Sequence, residues 1–211
     1  MMPRIFRKEA EQYFRKQMEL LTSAGFDALG IGSMEEPGFL REAGIELPMY
    51  FDQGMYSWNH LAGAAMERYG ADRLTIPVEL NEREIRMIVY GYLPMMISAQ
   101  CIRKTTLGCS GKPEIMWLKD RKDMRFPVVN QCRFCYNTIY NSAPLSLLGL
   151  SEQVTGLKPN AVRLNFTVEE PAAAGEILDA FFEEYGMSEK AAEPPVLRNQ
   201  FTRGHFKRGV E

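Results

Sequence analysis

Short apolar runs alternate with amphipathic stretches that stop at glycine, and this rhythm limits the chain to a few architectures. Phe26 to Ile31 reads as a buried strand, Glu35 to Ala43 as a helix closed by Gly44, and Leu47 to Asp52 as a second strand. Ser57 to Tyr69 then reads as a helix ending at Gly70, and Arg73 to Glu79 as a third strand. Ahead of them Ile5, Phe6, Tyr13, Phe14, Met18 and Leu21 recur at helical spacing, which predicts one amphipathic helix from Arg4 to Ala24, stopped at Gly25. Further on, Asn81 can cap a helical turn from Glu82 to Ile85, and the apolar run Met87 to Ile97 follows as a strand. Val162 to Thr167 precedes a helix from Pro171 to Tyr185. Strands and helices alternating at this spacing point to parallel strands with right-handed crossovers, an α/β sheet or barrel. Pro48, Pro77 and Pro94 sit in or beside the runs, where a missing N–H weakens a ladder.

Residues 98–145 break the rhythm and hold every cysteine. The chain therefore divides into a βα-repeat part at 1–97, a cysteine-rich metal-binding segment at 98–145, a final βα unit at 146–187, and a linker and tail at 188–211. Ser188 to Pro195 is polar and ends in proline, so Val196 to Glu211 is a tail that docks or stays loose.

The cysteines stand at Cys101, Cys109, Cys132 and Cys135, a C-x7-C-x22-C-x2-C pattern. A C-x2-C pair brings two sulfurs within reach of one metal, and the other two can complete a tetrathiolate site. From Arg103 to Arg133 there are eight lysines and arginines against three acids, a balance that favours thiolate. Buried structural cysteines and a thioredoxin-like redox pair are the alternatives, the second without the expected place at a strand-to-helix turn. Spacing alone leaves zinc and an iron–sulfur cluster open.

The opening residues are charged and lack the apolar core of a secretory signal, and no apolar run reaches the roughly 18 residues of a membrane span. The expectation is a cytoplasmic protein with no membrane partner, whose cysteines are reduced thiols or metal ligands. A net charge of −2 gives no global field toward nucleic acid, so any basic patch is local.

Several stretches resemble one family. Val89-Tyr90-Gly91-Tyr92-Leu93-Pro94-Met95-Met96-Ile97-Ser98-Ala99-Gln100-Cys101 is similar to the signature before the first cysteine of peptidase family U thirty-two, the collagenase-like proteins. Asp72 to Asn81, Leu118 to Lys122, Cys132-Arg133-Phe134-Cys135-Tyr136-Asn137 and the closing Phe201 to Glu211 agree with it in order along the chain. The likeness is to the C-terminal half of the barrel domain plus the tail, in the long form common in anaerobic Gram-positive bacteria. It implies a β/α barrel whose four cysteines hold a 4Fe–4S cluster, zinc being the alternative. It also implies relatives that hydroxylate a pyrimidine in RNA, or a quinone-precursor ring, without molecular oxygen. The cysteine spacing here differs from that of the hydroxylating relatives, and the peptidase label rests on annotation more than on a proteolytic site.

Five strands are read with a sixth at Phe126 to Val129, fewer than the eight of a closed barrel. The expected fold is thus an incomplete, half to three-quarter, TIM-like β/α barrel with an irregular four-cysteine insertion. Open edges call for a cover, either a missing N-terminal half of the barrel or a second copy in a homodimer.

Three function classes follow: a redox enzyme or its metal-bearing fragment, a peptidase, and a noncatalytic metal-stabilised domain. The chain has two histidines, His60 and His205, and neither H-E-x-x-H nor G-x-S-x-G. His60 reads as a surface or capping residue and His205 as structural. Chemistry on a β/α scaffold sits at the C-terminal ends of strands, which makes Asp52, Asn59, Glu79, Asn81 and Tyr92 the substrate-binding candidates. Turn and cap roles for Asp52 and Asn81, and a core role for Tyr92, compete with that reading. Met95 and Met96 read as core packing. Lys119, Arg121, Lys122, Arg125 and Arg133 could hold RNA phosphates or form a solvated face.

Overall fold

A computed structural model describes residues 3–75, 86–187, 200–204 and 206. The chain divides into two compact units, Met1–Leu80 and Asn81–Glu211. Both are mixed α/β, and among the described residues none of the three sheets closes into a barrel.

The first unit opens with two helices where one was expected, α1 at Lys8–Arg15 and α2 at Met18–Ser23. The break falls at Gln17, whose N–H donates to Phe14 O at 2.9 Å, one residue tighter than the α pattern. No glycine or proline announces it. A parallel sheet follows, β1 (Leu29–Ile31), β2 (Met49–Phe51) and β3 (Arg73–Leu74), in sequential order, with Leu29 opposite Met49 and Tyr50 opposite Arg73. The crossovers carry α3 (Glu35–Glu42) and α4 (His60–Tyr69). The expected stops hold: Gly44 and Gly70 both have positive φ, the conformation that favours glycine. Ile31 and Phe51 are fully buried, and Leu40, Phe39, Ile45, Met18 and Met55 pack around them. Burial of those side chains, each worth roughly 1.5–3 kcal/mol, ties the helices to a sheet of very short strands.

In the second unit β4 (Arg86–Gly91) lies between β10 (Ala161–Asn165), which runs parallel to it, and β9 (Leu145–Ser146), which runs antiparallel. Met87 to Gly91 is buried without alternation, as a central strand covered on both faces requires. The expected single strand from Met87 to Ile97 is instead two strands in two sheets. Gly91 has φ 149°, and a Cβ there would stand 2.4 Å from Asn165 O, so only glycine lets β4 and β10 approach this closely. Pro94, with no N–H to donate, opens the next strand.

Residues 98–145 are not irregular. With β5 (Pro94–Ser98) they build a four-stranded antiparallel sheet from β6 (Ile115–Lys119), β7 (Arg125–Gln131) and β8 (Tyr136–Tyr140), in the order β5-β8-β7-β6. The alternation was hidden because β7 and β8 bury polar side chains. Asn130 is 1% exposed and Asn137 fully buried, and Asn137 Nδ2 donates to Asn130 Oδ1 at 2.6 Å. Helix α5 (Ile102–Thr106) lies between β5 and β6. Met95 and Met96, expected in the core, are 63% and 59% exposed.

The expected final βα unit contains α6 (Ser151–Gly156), β10 and α7 (Pro171–Glu184). The described part of the tail docks: Thr202 bridges to Leu145 in parallel, and Arg203 Nη1 donates to Ser146 O at 2.8 Å and Leu148 O at 2.6 Å. Phe206 is buried.

Candidate metal centre

Strand register brings the four cysteines to one end of the antiparallel sheet. Ser98 at the end of β5 faces Asn137, Gln131 at the end of β7 faces Tyr136, and Ile115 at the start of β6 faces Val129. Cys101 follows β5 as the N-cap residue of α5, Cys109 precedes β6, and Cys132 and Cys135 form the connection from β7 to β8. That connection is a 3-10 turn over Cys132–Phe134, with Cys135 left-handed at φ 51° and its N–H on Cys132 O at 3.4 Å. The C-x2-C pair is thereby folded back on itself.

A buried amide pair fixes the other partner. Asn137 Oδ1 accepts the Ile102 N–H at 2.6 Å, so the residue after Cys101 is pinned to the same strand that leaves Cys135. Asn130 and Asn137 support the cysteine end of the sheet and are missed by sequence reasoning; polar residues inside otherwise apolar strands were the available signal.

Cys101 and Cys132 are half-buried, Cys109 and Cys135 are exposed, and all four are free thiols. Cys132 Sγ donates to Lys112 O at 2.8 Å, and Cys135 Sγ reaches Cys132 O at 3.7 Å. Burial first, then the neighbouring Cys109, Cys101, Glu114 and Cys135, push the Cys132 thiol above its ordinary range. The basic residues do not offset this. Arg103 is paired with Glu114 and Lys119 with Asp123, so part of the positive charge is already neutralised. Among the described residues no three metal-ligating side chains stand close enough to hold an ion. The three other sulfurs nonetheless lie near enough to act on Cys132 electrostatically, and the turn folds Cys132 and Cys135 together, which is the chemistry of a thiolate donor set.

The substrate candidates disperse. Asp52 is buried at the end of β2 and paired with Arg4. Asn59 is the N-cap of α4, its Oδ1 accepting the Ala62 N–H at 2.9 Å. Glu79, Asn81 and His205 lie outside the described residues. His60 is exposed at the start of α4. Tyr92 is half-buried just beyond β4, and burial, followed by the Glu169 carboxylate, raises its pKa. Tyr90, 3% exposed, faces the same carboxylate and is raised for the same reasons. Glu169 Oε2 accepts the N–H groups of Thr167 at 2.6 Å and Val168 at 2.9 Å, and the carboxylate also engages the Tyr90 hydroxyl. Glu169 was not read from the sequence. It gathers with both tyrosines at the C-terminal ends of the parallel pair β4 and β10, two phenolic donors beside an acceptor.

The basic side chains Lys119, Arg121, Lys122, Arg125 and Arg133 are exposed on and around β6, β7 and the following turn, with Trp117 56% exposed among them. No helix of the described residues is long and apolar enough to cross a membrane.

Comparison with protein-family models, with curated proteins and with solved structures returns no match.

Proposed function

We propose that the chain is an iron–sulfur-dependent, oxygen-independent hydroxylation-type enzyme, or the metal-bearing part of one, with Cys101, Cys109, Cys132 and Cys135 as ligands of a 4Fe–4S cluster. The observation that carries this reading is the arrival of four cysteines, from three connections, at one end of one sheet. A cluster bound there would supply electron-transfer chemistry at a potential set by local charge, hydrogen bonds and exposure. The rest of the work falls to the chain itself. Asn130 and Asn137 hold the thiol-bearing segments in register. The exposed lysines and arginines with Trp117 suit the phosphates and bases of RNA, the expected substrate. Tyr92, Tyr90 and Glu169 offer donors and an acceptor to a polar ring.

In this reading β1, β2 and β3 are a piece of an incomplete TIM-like barrel, supported by parallel neighbours in chain order with helical crossovers. The remaining strands come from an N-terminal half or a second copy. Four free thiols suit a reducing cytoplasm.

A second reading, the noncatalytic metal-stabilised domain with zinc as the metal, is favoured by one distance. Strand β5 leads from Tyr92 to the cysteine end, a span of roughly 20 Å at ~3.3 Å per residue. A ligand held at Tyr92 would not touch the metal.

Anaerobic purification tests both. Brown protein with visible charge-transfer absorption, bound iron and acid-labile sulfide is expected, and Cys132→Ser should lose colour, metal and stability together. Stoichiometric zinc without iron selects the second reading; metal content unchanged in Cys132→Ser overturns both.

A further inference from the structure

The C-terminal edge of the parallel sheet in the first unit holds a buried polar cluster unrelated to the cysteines. Asp52, 6% exposed, follows β2; Glu36, fully buried, stands in the first turn of α3 after β1. Ser33, 9% exposed, lies beside Glu36. Glu36 Oε2 accepts the Gly32 N–H at 3.1 Å, and the Ser33 hydroxyl acts on the same carboxyl. Among the described residues the guanidinium at this edge comes from Arg4, in the non-helical segment ahead of α1. Its Nη2 donates to Asp52 Oδ2 at 2.5 Å, and its charge acts on Glu36. The group also lies against the backbone of Gly54, where a Cβ would fall 1.5 Å from Arg4 Nη1. The cradle thus has an acidic wall on Asp52, a second acid within electrostatic reach, and a face kept free by glycine. It sits where open and closed β/α sheets alike bind ligands, at the carboxyl ends of parallel strands.

We propose that this edge is a guanidinium-binding site, filled in this chain by its own Arg4 and able to take the guanidinium of a ligand in exchange. A planar five-donor cation can bond Asp52 while lying flat against the Gly54 backbone, as a compact ammonium does not. Arg4 is tethered by irregular backbone rather than by a helix, so it acts as an intramolecular competitor that lowers apparent affinity.

The test uses the full chain with ethylguanidinium, N-acetyl-arginine amide and methylammonium as probes, read by thermal shift and calorimetry. Arg4→Ala should lose stability and regain it in millimolar ethylguanidinium, with affinity at least about tenfold above wild type. Methylammonium should not replace it, and Asp52→Asn in the same background should abolish rescue. Tighter binding of N-acetyl-arginine amide would make the ligand a protein arginine; tighter binding of ethylguanidinium would make it a small guanidino compound. Absence of rescue, equal rescue by methylammonium, or rescue that survives Asp52→Asn would overturn the proposal. Should Arg4→Ala not fold, Arg4→Lys keeps a cation and is expected to bind ethylguanidinium above wild type; no gain there overturns the proposal equally.

Discussion

At the scale of single residues, Glu36 ties the fold to pH. Burial, the largest cause, raises its carboxyl from 4.5 to about 7, against the opposing Gly32 N–H. The folded state therefore holds a proton that the unfolded chain has released, so stability is full below about 4.5 and falls as pH rises through about 7. Glu36→Gln removes the titration. Relative to wild type, the variant should gain stability by up to about 3 kcal/mol between the acid and alkaline ends of that window, measured by urea unfolding at each pH. A difference that stays flat with pH would exclude Glu36 as the source. Gly91 is the opposite kind of residue, needed for what it lacks. Gly91→Ala forces a Cβ onto Asn165 O in a positive-φ backbone region, and a loss of about 3 kcal/mol or more is expected, with β4 and β10 parting first in hydrogen exchange.

Among elements, the antiparallel sheet depends on its two buried amides. Asn137→Ala removes the acceptor for Ile102 N–H and the donor to Asn130 Oδ1 together. The expected cost is about 2–3 kcal/mol, and α5 should detach before the strands do, visible as loss of amide protection at Ile102 to Thr106. The helices α3, α4 and α7 were legible because glycine or proline marks an end of each and no distant partner is needed to place them, although α4 begins at His60 behind the Asn59 cap rather than at Ser57. The parallel strands were legible as apolar runs, though longer in sequence than in space: Phe26 and Leu47 lie outside β1 and β2. What stayed hidden depends on partners far along the chain. Asn130 in β7 looks like a loop residue until Asn137 faces it, and Glu169 is one acid among many until β10 carries it to Tyr90 and Tyr92. The cysteine cluster was visible as a pattern, but its support was not, since only strand register reveals that four separate positions share an end.

For the molecule as a whole, the open sheets set the expectation for assembly. β6 is an edge of its sheet and carries Ile115, Trp117 and Leu118 at 48%, 56% and 37% exposure, with Lys119 the charged residue at its end. Self-association is expected; light scattering should give twice the chain mass, and Trp117→Lys should return the monomer mass. A monomer at all concentrations would remove the second copy as the cover. The tail adds a consequence in time. β9 receives Thr202 and Arg203 from a segment made long after it, and β4 waits for β10. The antiparallel sheet needs only residues 94–140. During synthesis the cysteine-bearing hairpins can therefore acquire their pairing while β4 is still half-clothed, so that assembly of the cysteine end and closure of the buried strand become separate events, ordered by the ribosome.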